Sequence, residues 1–222
     1  GYDPVFTGME LPLPSLSDDL LRDAVRLDGS HLLHYTHFSL AMSKSRRMAR
    51  VVGWNIDGGR LRSLSRKNLK FVFDPRIDKK FQVGDAVYAD NKLDRGHIAR
   101  RADLVWGDPA EAKNANRDSF YFTNITPQHQ AFNQSEKRGL WGRLENALFE
   151  ETDVRDLRVS VMAGPIFKDD DLTYRGCGIP SDFWKLIAYA DDADGALKAK
   201  AYVLTQSDLL SDIEALDLDE FR

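Results

Sequence analysis

Runs of β-type alternation follow one another along much of this chain without a helix after each strand, and that order constrains its architecture more than any other feature. Alternating stretches at 35–42 and 50–56 lead into Asp57-Gly58-Gly59, a strong turn signal, and then into 61–64 and 69–73, which together read as an antiparallel meander. After Gly84 comes a strand-like approach to Leu93-Asp94-Arg95-Gly96-His97, a polar helical stretch over 109–116, and a dense apolar strand at Phe120-Tyr121-Phe122. Residues 123–128 turn the chain. The spacing of Leu140, Leu144, Leu148 and Phe149 predicts a helix from about 128 to near 150. Strands recur at 158–163, 183–189 and 198–204, and an acidic amphipathic helix is expected from 208 to about 216. A doubly wound parallel sheet needs regular strand–helix alternation. The expected class is therefore α+β, with a central antiparallel sheet flanked by helices.

Length and composition narrow the remaining choices. The 222 residues suit one generous domain better than two. Residues 1–16, with Pro4, Pro12 and Pro14, read as an extended arm or linker before Ser17-Asp18-Asp19 caps a short helix to about Arg26, which leaves 17–222 as a single domain. The start at Gly1-Tyr2-Asp3 suggests a piece of a longer polypeptide. No apolar run approaches the ~18 residues of a membrane span. A lone Cys177 excludes an intramolecular disulfide and a thiolate zinc site.

Thirty-one Lys and Arg against 35 Asp and Glu give a net charge of -4. Basic residues nevertheless cluster at Arg95, Arg100 and Arg101, and again at Lys137, Arg138 and Arg143, while acids collect at 169–171, 191–194 and 208–220. A local basic groove, not net charge, decides phosphate binding.

Hydrolysis of a phosphodiester requires a deprotonated water, a cation on the non-bridging oxygens and stabilisation of the departing oxygen. His97, with an unperturbed pKa near 6.5, suits the role of general base. Arg95, two residues away on the same strand face, offers a planar fork for phosphate oxygens. Asn133 offers a neutral hard oxygen of the kind Mg2+ accepts while keeping most of its water. Glu145 suits an outer acceptor that fixes a metal-bound water or a basic neighbour.

Four ordered blocks carry these residues: Leu93-Asp94-Arg95-Gly96-His97, Tyr121-Phe122-Thr123-Asn124-Ile125-Thr126-Pro127-Gln128, Phe132-Asn133-Gln134 and Trp141-Gly142-Arg143-Leu144-Glu145. Together they resemble the DNA/RNA non-specific endonuclease family. The resemblance implies a ββα-metal (His-Me) finger made of the strand bearing His97, a partner strand near 120–122 and a helix bearing Asn133. It implies His97 as general base and Asn133 as ligand of one Mg2+, Mn2+ being a substitute. Arg95 and Glu145 would assist, Asp94, Asn124 and Gln128 would support, and the products would carry 5'-phosphate and 3'-hydroxyl ends. Arg66, Lys70, Arg100 and Arg143 are the candidates for further phosphate contacts. DNA and RNA are the expected partners, with no membrane.

One departure stands out. Ser135-Glu136-Lys137-Arg138 read as an insertion, so that Glu145 follows Asn133 by twelve positions. Twelve residues of straight helix span about 18 Å, too far for both ends to serve one ion. The helix must break, and Gly139 is the natural place.

Other features read as structural. His31, His34 and His37 diverge on either regular element, Cys177 lies in a turn without a histidine partner, and Trp54, Trp106, Trp141 and Trp184 suit packing. Two other classes stay open at this stage: a binding module that kept the fold and lost the chemistry, and a sequence-specific nuclease of the HNH type. A nuclease loose in its own cell is lethal. Export, an inhibitor protein or a longer regulated polypeptide is expected, cytoplasmic in the favoured case and secreted in the other, and the acidic tail 208–220 could block the groove.

Overall fold

The computed structural model describes residues 1–137, 139–154, 157–190 and 195–210. Helix α1 (Asp18–Asp23) starts at Ser17, whose Oγ accepts from the Leu20 N–H. Strands β1 (Leu33–Tyr35), β2 (Phe38–Met42) and β3 (Ala49–Asp57) follow, then β4 (Leu93–His97), α2 (Arg101–Leu104) and α3 (Pro109–Asp118). Next come β5 (Ile125–His129), α4 (Gln130–Asn133), α5 (Leu140–Val154), β6 (Arg158–Ile166), β7 (Leu172–Tyr174), β8 (Cys177–Ile179), β9 (Asp182–Ala190) and β10 (Leu197–Thr205).

The fold is α+β. Six strands form one antiparallel sheet in the order β1-β2-β3-β6-β9-β10, while β4 pairs with β5 and β7 with β8 as separate ribbons. One face of the sheet is covered by helices: Leu104, Ala115, Phe132, Trp141 and Leu148 share a core with Trp54, Ile56, Val161, Phe183 and Ile187. On the other face Tyr2 and Leu13 pack over Gly53, where a Cβ would lie 2.3 Å from Leu13. Residues 1–16 are further anchored by Tyr2 N–H to Ser39 Oγ and Asp3 N–H to Asn55 Oδ1. Helix α3 begins where its sequence says it should, at a capping box of Asp108 and Glu111 around Pro109. Among the described residues no helix is long and apolar enough to cross a membrane.

Three expectations are corrected. The meander does not continue past β3: residues 61–73 form only isolated bridges, Leu61 to Trp106 and Val72 to Tyr121. Both edges of β3 are taken, by β2 and by the distant β6, so no edge remains for a following strand. The partner of β4 is Ile125–His129, not 120–122. Phe120 and Phe122 instead pack against Phe71, and Phe122 also against Phe73, while Pro127 is tolerated because β5 has a free edge where its missing N–H is not needed. The stretch 35–42 is split into a hairpin by Thr36 and His37, the latter at φ 69°. The expected helical tail lies, from residue 211 onward, outside the described residues, as do Arg138 and the acids of 191–194.

Candidate active site

The β4–β5 ribbon and the start of the following helices place the chemistry-bearing side chains around one cavity of about 510 Å³. Its lining includes His97, Asn133, Glu145, Asp94, Arg66 and Arg100. Arg95 also lines it, whereas Lys70 and Arg143 do not.

The His97 ring is wedged against Phe71, with centroids 5.6 Å apart, and against the edge of Phe120 at 5.4 Å. Its Nε2 is sealed from solvent and has no hydrogen-bond partner, so Nδ1 is the nitrogen left to face the cavity. Burial pushes the imidazole down from 6.5 to about 3, and the Arg101 and Arg66 guanidiniums push the same way. The ring is neutral at physiological pH. Asn124 fixes the backbone just beyond it: its Oδ1 accepts from Ala99 N–H and its Nδ2 donates to Ala99 O and Ser119 O. Gln128 lies against Gly96, where a Cβ would come within 2.1 Å of Gln128 Oε1, so any larger residue between Arg95 and His97 would push the Gln128 side chain aside.

Asn133 closes α4. Its Nδ2 donates to Asp94 Oδ2 at 3.0 Å, and Gln134 Nε2 donates to the same oxygen at 2.8 Å. Among the described residues no donor meets the Asn133 side-chain Oδ1. After Asn133 the helix breaks into a 3₁₀ turn, Ser135–Lys137, and α5 begins at Leu140. Gly139 sits where a Cβ would lie 2.3 Å from Phe132 O, so the chain folds back at the residue with no side chain to obstruct it. The break brings Glu145 to the same cavity as Asn133 despite the insertion.

Glu145 is tied to a residue that sequence reasoning passed over. Lys185 Nζ donates to Glu145 Oε1 at 3.2 Å with its side chain wholly buried. The signal was present: in β9, Phe183, Lys185 and Ile187 occupy alternate, buried positions, so period-two alternation puts a lysine on the core face. Asp103, also buried, accepts from Trp54 Nε1 at 3.2 Å through Oδ2, while its Oδ1 has no partner.

The arginines divide by partner. Arg95 Nε donates to Asp85 Oδ1 at 2.7 Å, so its charge is compensated. Arg100 instead donates to the carbonyl of Glu145 and to Asn146 Oδ1, and Arg101 to Leu64 O and Asn116 Oδ1. Neutral oxygens orient these two guanidiniums and leave their charge available for an anion. The histidines read as structural do not converge: His34 Nδ1 meets Ser39 Oγ, while His37 stacks on Trp106 and meets Leu104 O and Glu111. Burial pushes the Cys177 thiol up to about 11, which removes it as a nucleophile.

The donor set suits a hard, hydrated cation. Amide oxygens and carboxylates line the cavity at Asn133, Gln134, Asp94, Glu136 and Glu145, and among the described residues no group of three or more His, Cys, Asp or Glu side chains converges as a full ligand set. Oxygen donors in small number fit an ion that keeps most of its own water.

A sequence model described as DNA/RNA non-specific endonuclease matches residues 16–222. The uncharacterized protein y4fB of Sinorhizobium fredii is 41% identical over 225 residues, which is 96% of this chain and 33% of that protein. The mitochondrial nuclease EXOG of Danio rerio is 30% identical over 79% of this chain and 52% of its own length, and mitochondrial endonuclease G of Homo sapiens is 25% identical over 70% and 52%. The chain thus spans between a third and about half of these relatives. Among solved structures, the crystal structure of the EndoG/EndoGI complex matches with a TM-score of 0.66 at 21% identity, over 87% of this chain and 81% of that one, a likeness of fold.

Proposed function

The chain belongs to the DNA/RNA non-specific endonuclease family, and we propose that it hydrolyses phosphodiester bonds of DNA and RNA with little sequence preference. The observation that carries this reading is that His97, Asn133 and Glu145 line one cavity together with cations that lack carboxylate partners.

Neutral His97 takes the proton of the attacking water at Nδ1. A base of such low pKa is weak in the free protein, but the approaching phosphate reverses its surroundings: an anion beside the ring favours imidazolium and offsets Arg66 and Arg101. Arg66 and Arg100 hold the non-bridging oxygens, and Arg95, already paired with Asp85, contributes at the rim. Asn133, oriented by Asp94, presents its amide oxygen as the protein ligand of a Mg2+ ion, Mn2+ being a substitute. The bound cation supplies charge neutralisation on the phosphate and the departing oxygen. Glu145, held by Lys185, accepts hydrogen bonds from water in the cavity. Cleavage of the P–O3' bond leaves 5'-phosphate and 3'-hydroxyl ends, the hydroxyl taking its proton from water.

EndoG, the structural neighbour, was solved with EndoGI in connection with its inhibition. An inhibitor protein, or restraint within a longer cytoplasmic polypeptide, is the control we propose here. Incubating the purified chain with plasmid and with RNA in Mg2+ tests the activity. A smear abolished by EDTA is expected; discrete bands would indicate sequence-specific cutting, and binding without cleavage would leave only an interaction module.

A further inference from the structure

Beside the candidate active site lies a second groove of about 380 Å³, whose lining includes Leu64, Ser65, Lys67, Lys113 and Asn116. The two depressions share a wall. Arg66 lines the first, and its chain neighbours Ser65 and Lys67 line the second. Arg101, whose charge is felt by His97, donates to Leu64 O at 3.0 Å and to Asn116 Oδ1 at 3.1 Å, both on the second groove. Asn116 Nδ2 donates onward to Ser65 O at 3.3 Å, which ties α3 to the 61–73 segment.

Most cations in and behind this wall are uncompensated. Among the described residues Arg66, Lys67, Arg101 and Lys113 form no ion pair, whereas Arg46, Arg50, Arg76 and Arg95 each meet a carboxylate. Arg117, which also lines the groove, is paired with Asp118 at 3.3 Å. In a protein of net charge -4 such a concentration is costly: Arg101 is pulled below its ordinary pKa by burial and by repulsion from Arg66 and Arg100. A chain of phosphates relieves that repulsion along its whole length; a single small anion does not.

We propose that this wall is a phosphate track, along which Lys67 and Lys113, continuing from Arg66, carry the polynucleotide backbone away from the scissile phosphate, with Arg101 bracing the wall from behind through Leu64 and Asn116. The inference rests on the nuclease reading above and adds to it a substrate several nucleotides long. Exposed lysines can be removed without disturbing the core.

The test measures binding of a fluorescent single-stranded oligodeoxynucleotide to the full chain carrying His97→Ala, with and without Lys67→Ala and Lys113→Ala, in metal-free buffer over a range of KCl. Each lost single-strand phosphate contact flattens the plot of log Kd against log salt by about 0.7. The double lysine variant should therefore lose about 1.4 from the slope and bind roughly tenfold more weakly at low salt. With His97 restored, the ratio of kcat/KM for a long oligonucleotide to that for a dinucleotide should fall by a similar factor. An unchanged slope and Kd would overturn the track, even if the parent protein cuts. Failure of the parent to cut, with the slope still flattened, would overturn the nuclease reading and leave the track as a nucleic-acid-binding wall.

Discussion

Lys185 Nζ lies 3.2 Å from Glu145 Oε1 and 4.0 Å from the centre of the Trp141 ring, with Trp54 on another side at 5.4 Å. A buried ammonium is expensive to desolvate, and here one carboxylate and two indole faces offset that cost. The pair joins the core beneath the sheet to the candidate active site, because the Glu145 carboxylate that holds Lys185 also lines the cavity.

Breaking this pair should cost more than removing it. Lys185→Met leaves Glu145 without its buried counter-charge and is expected to lower stability by about 3–5 kcal/mol. Combining it with Glu145→Gln removes both charges and should recover much of the loss. Urea midpoints of the two single variants and the double variant check this; simple additivity would show that the two side chains do not act as a pair.

Asp103 should make stability depend on pH near neutrality. Its burial raises its pKa from 3.8 to about 7, opposed by Arg100 and Lys185 and assisted by Glu145. Because the folded pKa lies above the unfolded one, this contribution is fully present below 3.8 and is lost as pH rises through about 7. Asp103→Asn, which can still accept from Trp54, should therefore gain on the wild type by a few kcal/mol as pH rises from 4 to 7 and then hold that margin. Tm series at fixed salt measure it; parallel curves would refute it.

His97 titrates in the opposite sense. With the free-protein imidazole pushed to about 3, the acid limb of kcat/KM should show no inflection near 6.5. The limb of kcat, which reports the substrate complex, should lie at higher pH because the bound phosphate favours imidazolium. A pH–rate profile with an inflection at 6.5 in kcat/KM would contradict the placement of the ring.

Gly139→Ala should displace Asn133. The added Cβ meets Phe132 O at 2.3 Å, so the turn joining α4 to α5 must open. A stability loss of about 1–3 kcal/mol is expected from the overpacking, together with a rise in the Mg2+ concentration needed for half-maximal cleavage, read from a metal titration. An unchanged Mg2+ requirement would separate the turn from the metal site.

The parts of the fold legible in the sequence are those whose signal is local. Asp94, Arg95 and His97 lie within one strand, and the register that unites them needs nothing distant. The break at Gly139 followed from helix length once the resemblance assigned Asn133 and Glu145 to one site. Residues 61–73 were misread because their fate depends on β6, a hundred residues away, having taken the edge of β3. Phe120 and Phe122 look like strand but fill the wall behind His97, a use of aromatics that short-range alternation cannot distinguish. Lys185 was visible on the apolar face of its strand, but its partner Glu145 is forty positions distant. The pairing of Arg95 with Asp85, which shifts the phosphate-holding charge toward Arg66 and Arg100, likewise arises only when the chain folds.

The most direct measurement is the cleavage rate of His97→Ala on plasmid DNA in Mg2+, with binding and thermal unfolding measured alongside. Retained binding and fold with a loss of about 10²–10⁴ in kcat are expected if His97 takes the proton of the attacking water. A rate within a few-fold of the wild type would contradict it.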